Sequence, residues 1–184
     1  MHALPRQLLL FFVGPDMCGK TQIAQEISKV LGVPYFKATS EHTSFLSSRV
    51  SKNDQFMNQL RFADPRVYDL LRQTKHSVVF DRGFPCEYAY SRVLGRETDM
   101  IMIKHMDEAW ASLDARIVFC HRNSYKGIVD DLDPSINESL LNELHVAYRG
   151  FLDWTKCKFL ELNVDDENLN REVTDIVNYL QETT

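Results

Sequence analysis

The chain has 184 residues, 44% of them hydrophobic and 26% charged, which suits one globular domain over residues 1–184 with a core of ordinary size. Its net charge of −5 argues against a protein that works on DNA or on an anionic membrane, although it leaves room for a small basic cleft. The four cysteines, at 18, 86, 120 and 157, form no C-x-x-C pair and read as reduced thiols of a cytoplasmic protein, excluding a disulfide frame or a zinc site.

Leu8 to Val13 is an unbroken apolar run. It is too short for the roughly 20 residues of a membrane span and lacks a cleavage pattern, so it reads as a buried strand. It leads into Gly14-Pro15-Asp16-Met17-Cys18-Gly19-Lys20-Thr21, which has the spacing G-x-x-x-x-G-K-T. Gln22 to Leu31 follows as an amphipathic helix, with Ile23, Ala24, Ile27, Val30 and Leu31 on one face. Strand, loop and helix are the context this motif requires. The main-chain N–H groups from Gly14 to Gln22 would converge on phosphate oxygens, and Lys20 would reach the β- and γ-phosphates. The Thr21 hydroxyl would face Mg²⁺. The segment therefore predicts a site for ATP or another nucleoside triphosphate. Cys18, inside the loop, reads as a small filler more than as a reactive thiol.

Four more segments look like parallel strands buried on both faces: Val33 to Phe36, Ser77 to Phe80, Ala115 to Cys120 and Lys158 to Leu162. Helical patterns separate them. Asn53 to Thr74 is interrupted at Asp64-Pro65, which predicts two helices or a kink. Glu87 to Leu94 and Asp99 to Leu113 follow. Ser135-x-x-Glu138 reads as a capping box for a helix to about Thr155. Asp165-Asp166 opens a last helix that buries Leu169, Val173, Ile176, Val177 and Leu180. The alternation predicts an α/β three-layer fold, a five-stranded parallel sheet with helices on both faces.

In such sheets ligands bind at the carboxyl ends of the strands. The second strand ends in the polar stretch Lys37 to His42, a candidate rim. The third ends in Asp81-Arg82. An Asp there can hold Mg²⁺ through water or take a proton from an attacking oxygen, and the Arg can grip a second phosphate or the transferring group. The fourth ends in His121-Arg122-Asn123-Ser124-Tyr125-Lys126-Gly127, and the polar run continues to Pro134. Residues 122–136 form a candidate lid, with Arg122 and Lys126 as its catalytic cations and Arg149 as a more distant one. The turn Asn163 to Asp166 would lie beside the donor base, or serve only as a helix cap.

Asp81 to Ser91, D-R-G-F-P-C-E-Y-A-Y-S, resembles the thymidylate kinase signature D-R-Y-x-x-S-x-x-A-Y-Q. Asp81, Arg82, Ala89 and Tyr90 match, whereas Gly83, Cys86 and Ser91 stand where that family has Tyr, Ser and Gln. An acidic residue in the phosphate loop, here Asp16, is a second likeness. The resemblance implies that Asp16 faces the acceptor's sugar hydroxyl and that a catalytic arginine lies in the lid. It implies the nucleoside and nucleotide kinase fold and, commonly, a homodimer. Asp99 to Leu113, with Met100, Met102, Met106 and Trp110, would supply the dimer face or an ordinary buried helix face. Aromatic candidates to stack on an acceptor base are Phe56, Phe62, Phe84, Tyr88 and Tyr90, with Phe62 and Tyr90 foremost. Arg61 and Arg66 are candidates to anchor an acceptor phosphate.

Three functions are compatible with these residues. The first is transfer of a phosphoryl group from ATP to a nucleoside monophosphate, thymidylate or a related pyrimidine. The second keeps the chemistry but uses a free deoxynucleoside or a hydroxymethylated pyrimidine, alone or in DNA, as the departures at Gly83, Cys86 and Ser91 suggest. The third is a nucleotide-dependent switch, against which stands the absence of an N-K-x-D motif and of a water-orienting Gln after Asp81.

Overall fold

The structure is a computed structural model that describes residues 7–37, 59–128, 130, 133 and 135–183, without the side chains of Gln59 and Phe62. Strand β1 (Leu9–Val13) leads through the glycine-bearing loop into helix α1 (Lys20–Leu31) and then β2 (Tyr35–Lys37). A π-helical turn (Gln59–Ala63) runs into α2 (Asp64–Thr74), followed by β3 (Val78–Asp81), α3 (Phe84–Val93) and α4 (Met100–Ser112). Strand β4 (Arg116–His121), α5 (Glu138–Leu152), β5 (Lys158–Asn163) and α6 (Leu169–Glu182) complete the order. The five strands lie side by side as β2-β3-β1-β4-β5, all parallel. The first strand thus sits in the middle, and its carboxyl end, where the loop begins, lies at the reversal point of the strand order.

Two apolar layers sandwich the sheet, as the period of two along a strand demands. Leu9, Phe11 and Val13 point to one side, with Phe80, Ile117 and Phe119, against α3, α4 and α5. Leu10 and Phe12 point to the other, with Val79, Val118 and Cys120, against α1 and α6. Every β1 side chain is buried, and each contributes about 1.5–3 kcal/mol by leaving water. Phe11 is the hub of the first layer. It stacks on Phe80 with ring centroids 4.4 Å apart and meets Phe84 and Trp110 edge-on.

Several sequence expectations need correction. Burial on both faces holds for β1, β3 and β4, but β2 and β5 are the sheet edges and β5 is largely exposed. Val30 lies 54% exposed, off the buried stripe of α1. The capping box is not formed. Asn137 caps α5 by accepting from the Leu140 amide, Glu138 is already inside the helix, and the Ser135 hydroxyl binds Asp133 instead. The helix also stops at Leu152, short of Thr155. Asn168, not Asp165-Asp166, caps α6. The expected break at Asp64-Pro65 is present as the junction of the π-turn with α2, where Pro65 needs no N–H partner.

Met106 and Trp110 are buried in the chain's own core, with Met100 and Met102 packed beside them, so this set serves the ordinary buried face. Arg116, on β4, is 1% exposed and ties the end of α6 to the sheet through the Leu180 and Thr183 carbonyls and the Thr183 hydroxyl. Among the described residues no helix is long and apolar enough to cross a membrane.

Candidate active site

The loop after β1 is built from main-chain geometry. Gly14 has φ 138°, and a Cβ there would stand 2.0 Å from the Cys120 carbonyl oxygen of β4. Only glycine lets the chain turn that close to the neighbouring strand. Gly19 caps α1 in the left-handed region at φ 63°, and Met17 is left-handed at φ 62° despite its side chain. The turn thereby aims the first N–H groups of α1 back into the loop, the arrangement that receives anions. Lys20 is 5% exposed and curls over the loop to the Pro15 carbonyl. Its burial, reinforced by the charge of Arg82, lowers its pKa. Cys18 is fully buried, with Sγ 3.6 Å from the Tyr125 hydroxyl, and burial pushes its thiol up. It fills the loop as expected.

Asp81, at the end of β3, is completely buried. Its Oδ2 accepts from the Thr21 hydroxyl at 2.7 Å and the Tyr35 hydroxyl at 2.8 Å, while Oδ1 has no partner among the described residues. An orphaned carboxylate oxygen beside a threonine hydroxyl at the head of α1 fits a hydrated Mg²⁺, with Thr21 as direct ligand and Asp81 acting through water.

Arg82 follows in the left-handed region at φ 73°, a strained backbone that turns its guanidinium toward the loop. It forms an ion pair with Asp16 and donates to the Tyr90 hydroxyl at 3.1 Å. Tyr90 in turn donates to the second oxygen of Asp16. Burial alone would raise the Asp16 carboxyl. The charges of Arg82 and Lys20, with hydrogen bonds from Tyr90 and Arg82, outweigh it and hold the group below the usual carboxylate range. Asp16, Arg82 and Tyr90 thus form one polar cluster on the β3 side of the loop.

Arg122 lies on the other side. Its Nε reaches the Met17 carbonyl at 3.2 Å and Nη2 reaches Glu167 at 2.7 Å. Tyr125 anchors the segment after β4, since its hydroxyl accepts from the Arg122 amide and meets Cys18 and His145 Nδ1. A cleft of about 300 Å³ opens here, lined by Cys18, Gly19 and Gln22 of the loop and α1, by Arg122, and by Val164, Glu167 and Glu172 near the start of α6.

Other expected site residues lie elsewhere. Lys126 is exposed and its side chain touches no part of the site, while Arg149 pairs with Glu161 of β5 at 2.7 Å. Arg61 is bound to Asp99 at 2.9 Å, and Arg66 is exposed. Phe84 and Tyr88 are core residues, so Tyr90 is the described aromatic that reaches the cluster. Phe56, the Phe62 side chain, Ala38 to His42 and residues 129, 131, 132 and 134 of the candidate lid lie outside the described residues. Sequence reasoning missed Tyr35, Tyr125, Glu167 and Glu172. None of them sits in a motif, and only tertiary contact marks them.

No family model and no curated protein matches the sequence. Solved structures do. YorR of Bacillus subtilis, crystallised with phosphorylated GDP, is 16% identical with a TM-score of 0.63, over 94% of this chain and 95% of that one. Thymidylate kinase of Ehrlichia chaffeensis is 17% identical with a TM-score of 0.61, over 96% and 100%. Deoxyadenosine kinase of M. mycoides, with bound dATP, is 20% identical with a TM-score of 0.55, over 95% and 98%. At these identities what is shared is the fold, the three-layer α/β arrangement around a phosphate loop.

Proposed function

We propose that the chain is a phosphotransferase that moves the γ-phosphoryl group of ATP or another nucleoside triphosphate to a pyrimidine deoxynucleoside monophosphate, thymidylate or a close relative. The observation that carries this reading is the Asp16–Arg82–Tyr90 cluster. A hydrolase needs only the loop and a positioned water. Here a carboxylate with its own arginine and phenol stands on the β3 side of the loop, away from the cleft at Cys18 to Gln22, and offers polar partners to a second substrate. The architecture shared with thymidylate and deoxyadenosine kinases supports the same conclusion.

The loop amides and Lys20 would hold the β- and γ-phosphates, and the low-pKa Asp16 would accept the acceptor's sugar hydroxyl and orient it. Attack by the acceptor oxygen on the γ-phosphorus forms one P–O bond as the bond to the β–γ bridging oxygen breaks. Arg82 and Arg122, from opposite sides, would offset charge on the group in flight. Mg²⁺, held by Thr21 and through water by Asp81, would neutralise the β- and γ-oxygens. Residues 122–136 would close over the donor and keep water out. We place this chemistry in the cytoplasm.

A second reading, a deoxynucleoside or hydroxymethylated pyrimidine as acceptor, draws on two observations. The Ser91 hydroxyl is bound to Glu87 and so does not stand in for the amide of the signature Gln, and Arg61 is held by Asp99 instead of standing free for an acceptor phosphate. Assay of nucleosides, monophosphates and hydroxymethylated pyrimidines, free and in DNA, decides between them. Turnover with a monophosphate at a rate at least tenfold above its nucleoside is the expected outcome. The reverse order selects the second reading, and no acceptor-dependent turnover rejects both.

A further inference from the structure

Glu172, in the first turn of α6, is 3% exposed and lines the cleft beside the phosphate loop. No hydrogen-bond donor among the described residues reaches its carboxylate. The nearest cation, Arg171 Nη2, stands 3.9 Å away and is already bound to Asp166 and the Asn163 carbonyl. Glu167, the other carboxylate in the cleft, is taken by Arg122. Neither carboxylate oxygen is sealed off inside the core, and the open side of the group faces the cleft, where it can accept hydrogen bonds from a ligand.

We infer that Glu172 reads the donor base, accepting hydrogen bonds from its N–H groups, so that the site takes guanine triphosphates in preference to adenine ones. This rests on the phosphate-loop reading above and changes only the donor base. The cleft begins at Cys18, Gly19 and Gln22, where the loop would deliver the nucleoside end of a bound triphosphate. The β3 side of the loop carries the Asp16–Arg82–Tyr90 cluster assigned above to the acceptor, so the donor base has this cleft as its place. An ionised carboxylate accepts and cannot donate. Guanine sets its N1–H and its 2-amino group side by side, matching two carboxylate oxygens. Adenine offers one amino group next to the N1 lone pair, which such an oxygen repels.

Calorimetric titration of the full chain with GTP, ATP and inorganic tripolyphosphate, each with magnesium, tests the inference. GTP should bind about tenfold more tightly than ATP, the scale of one hydrogen bond to a charged group. In Glu172→Gln the amide can accept from the adenine amino group and donate to N1, so the order should shift to favour ATP. Glu172→Ala should lose the preference without gaining the opposite one. Tripolyphosphate should bind all three proteins alike, reporting an intact fold and loop. Equal affinity of the unaltered protein for GTP and ATP, or an unchanged order in Glu172→Gln, overturns the base assignment and leaves the phosphate loop standing. No heat with tripolyphosphate or either nucleotide removes the phosphate-loop reading itself.

Discussion

Gly14 is the tightest point in the loop, because its missing side chain is what admits the Cys120 carbonyl. Gly14→Ala should cost at least about 2 kcal/mol in denaturant unfolding, since the clash with backbone adds to a disallowed φ. A smaller loss would mean that the loop adapts. Lys20→Ala should lower turnover by about 10²–10³-fold, the scale of losing one fixed charge from the transferring group. Asp16→Asn should leave donor binding close to normal and raise the acceptor KM about tenfold or more, as measured by steady-state kinetics with each substrate varied in turn. The same residue shapes the acid limb of stability. Its folded pKa lies below its unfolded one, so its contribution is complete above about pH 4 and disappears as pH falls through the folded value. Asp16→Asn should flatten that limb. An unchanged limb would place the low pKa elsewhere.

Among the elements, β4 and α5 share the most exposed assumption. His121 on β4 and His145 on α5 meet edge-on with centroids 5.5 Å apart, and burial, then the charge of Arg149, lowers both pKa values, with His121 itself adding to the shift of His145. A histidine whose folded pKa is depressed gives stability that is complete above its unfolded value, about 6.5, and is lost as pH falls below it. Thermal melting should therefore weaken from about pH 6.5 downward, and His145→Phe should reduce the slope. Asn137→Ala should cost about 1 kcal/mol, because it removes the cap on the Leu140 amide. The elements themselves were legible wherever one residue type decides. An apolar run such as Leu8 to Val13 is a strand between two layers in almost any context, and Pro65 marks where the π-turn gives way to α2. Caps and edges were not legible. Asn137 and Ser135 are equally good caps in isolation, and tertiary contact with Asp133 settles the choice. Likewise, the exposure of β5 follows from strand order, which no local pattern encodes.

For the whole molecule, the site divides into a part written in one segment and a part assembled from many. The phosphate loop and Asp81-Arg82 are contiguous, so their spacing exposed them. The convergence of Asp16, Arg82 and Tyr90 joins three separate elements, and the family likeness pointed to it where periodicity could not. The departure from that signature at Gly83 has a steric reason. A Cβ there would stand 2.8 Å from the Phe11 ring, so the tyrosine of the signature has no room in this core. The cleft lined by Glu167 and Glu172 is the product of β4 and β5 lying side by side, a fact only the fold supplies. The central claim is that the phosphoryl group passes to a second molecule and not to water. The direct test follows the γ-label of magnesium triphosphate with and without pyrimidine nucleosides and monophosphates, in the unaltered chain and in Lys20→Ala. We expect the label to appear on an acceptor at a rate at least about a hundredfold above its release as phosphate, and to vanish in the variant. Label released only as phosphate, at a rate no acceptor changes, would contradict the account.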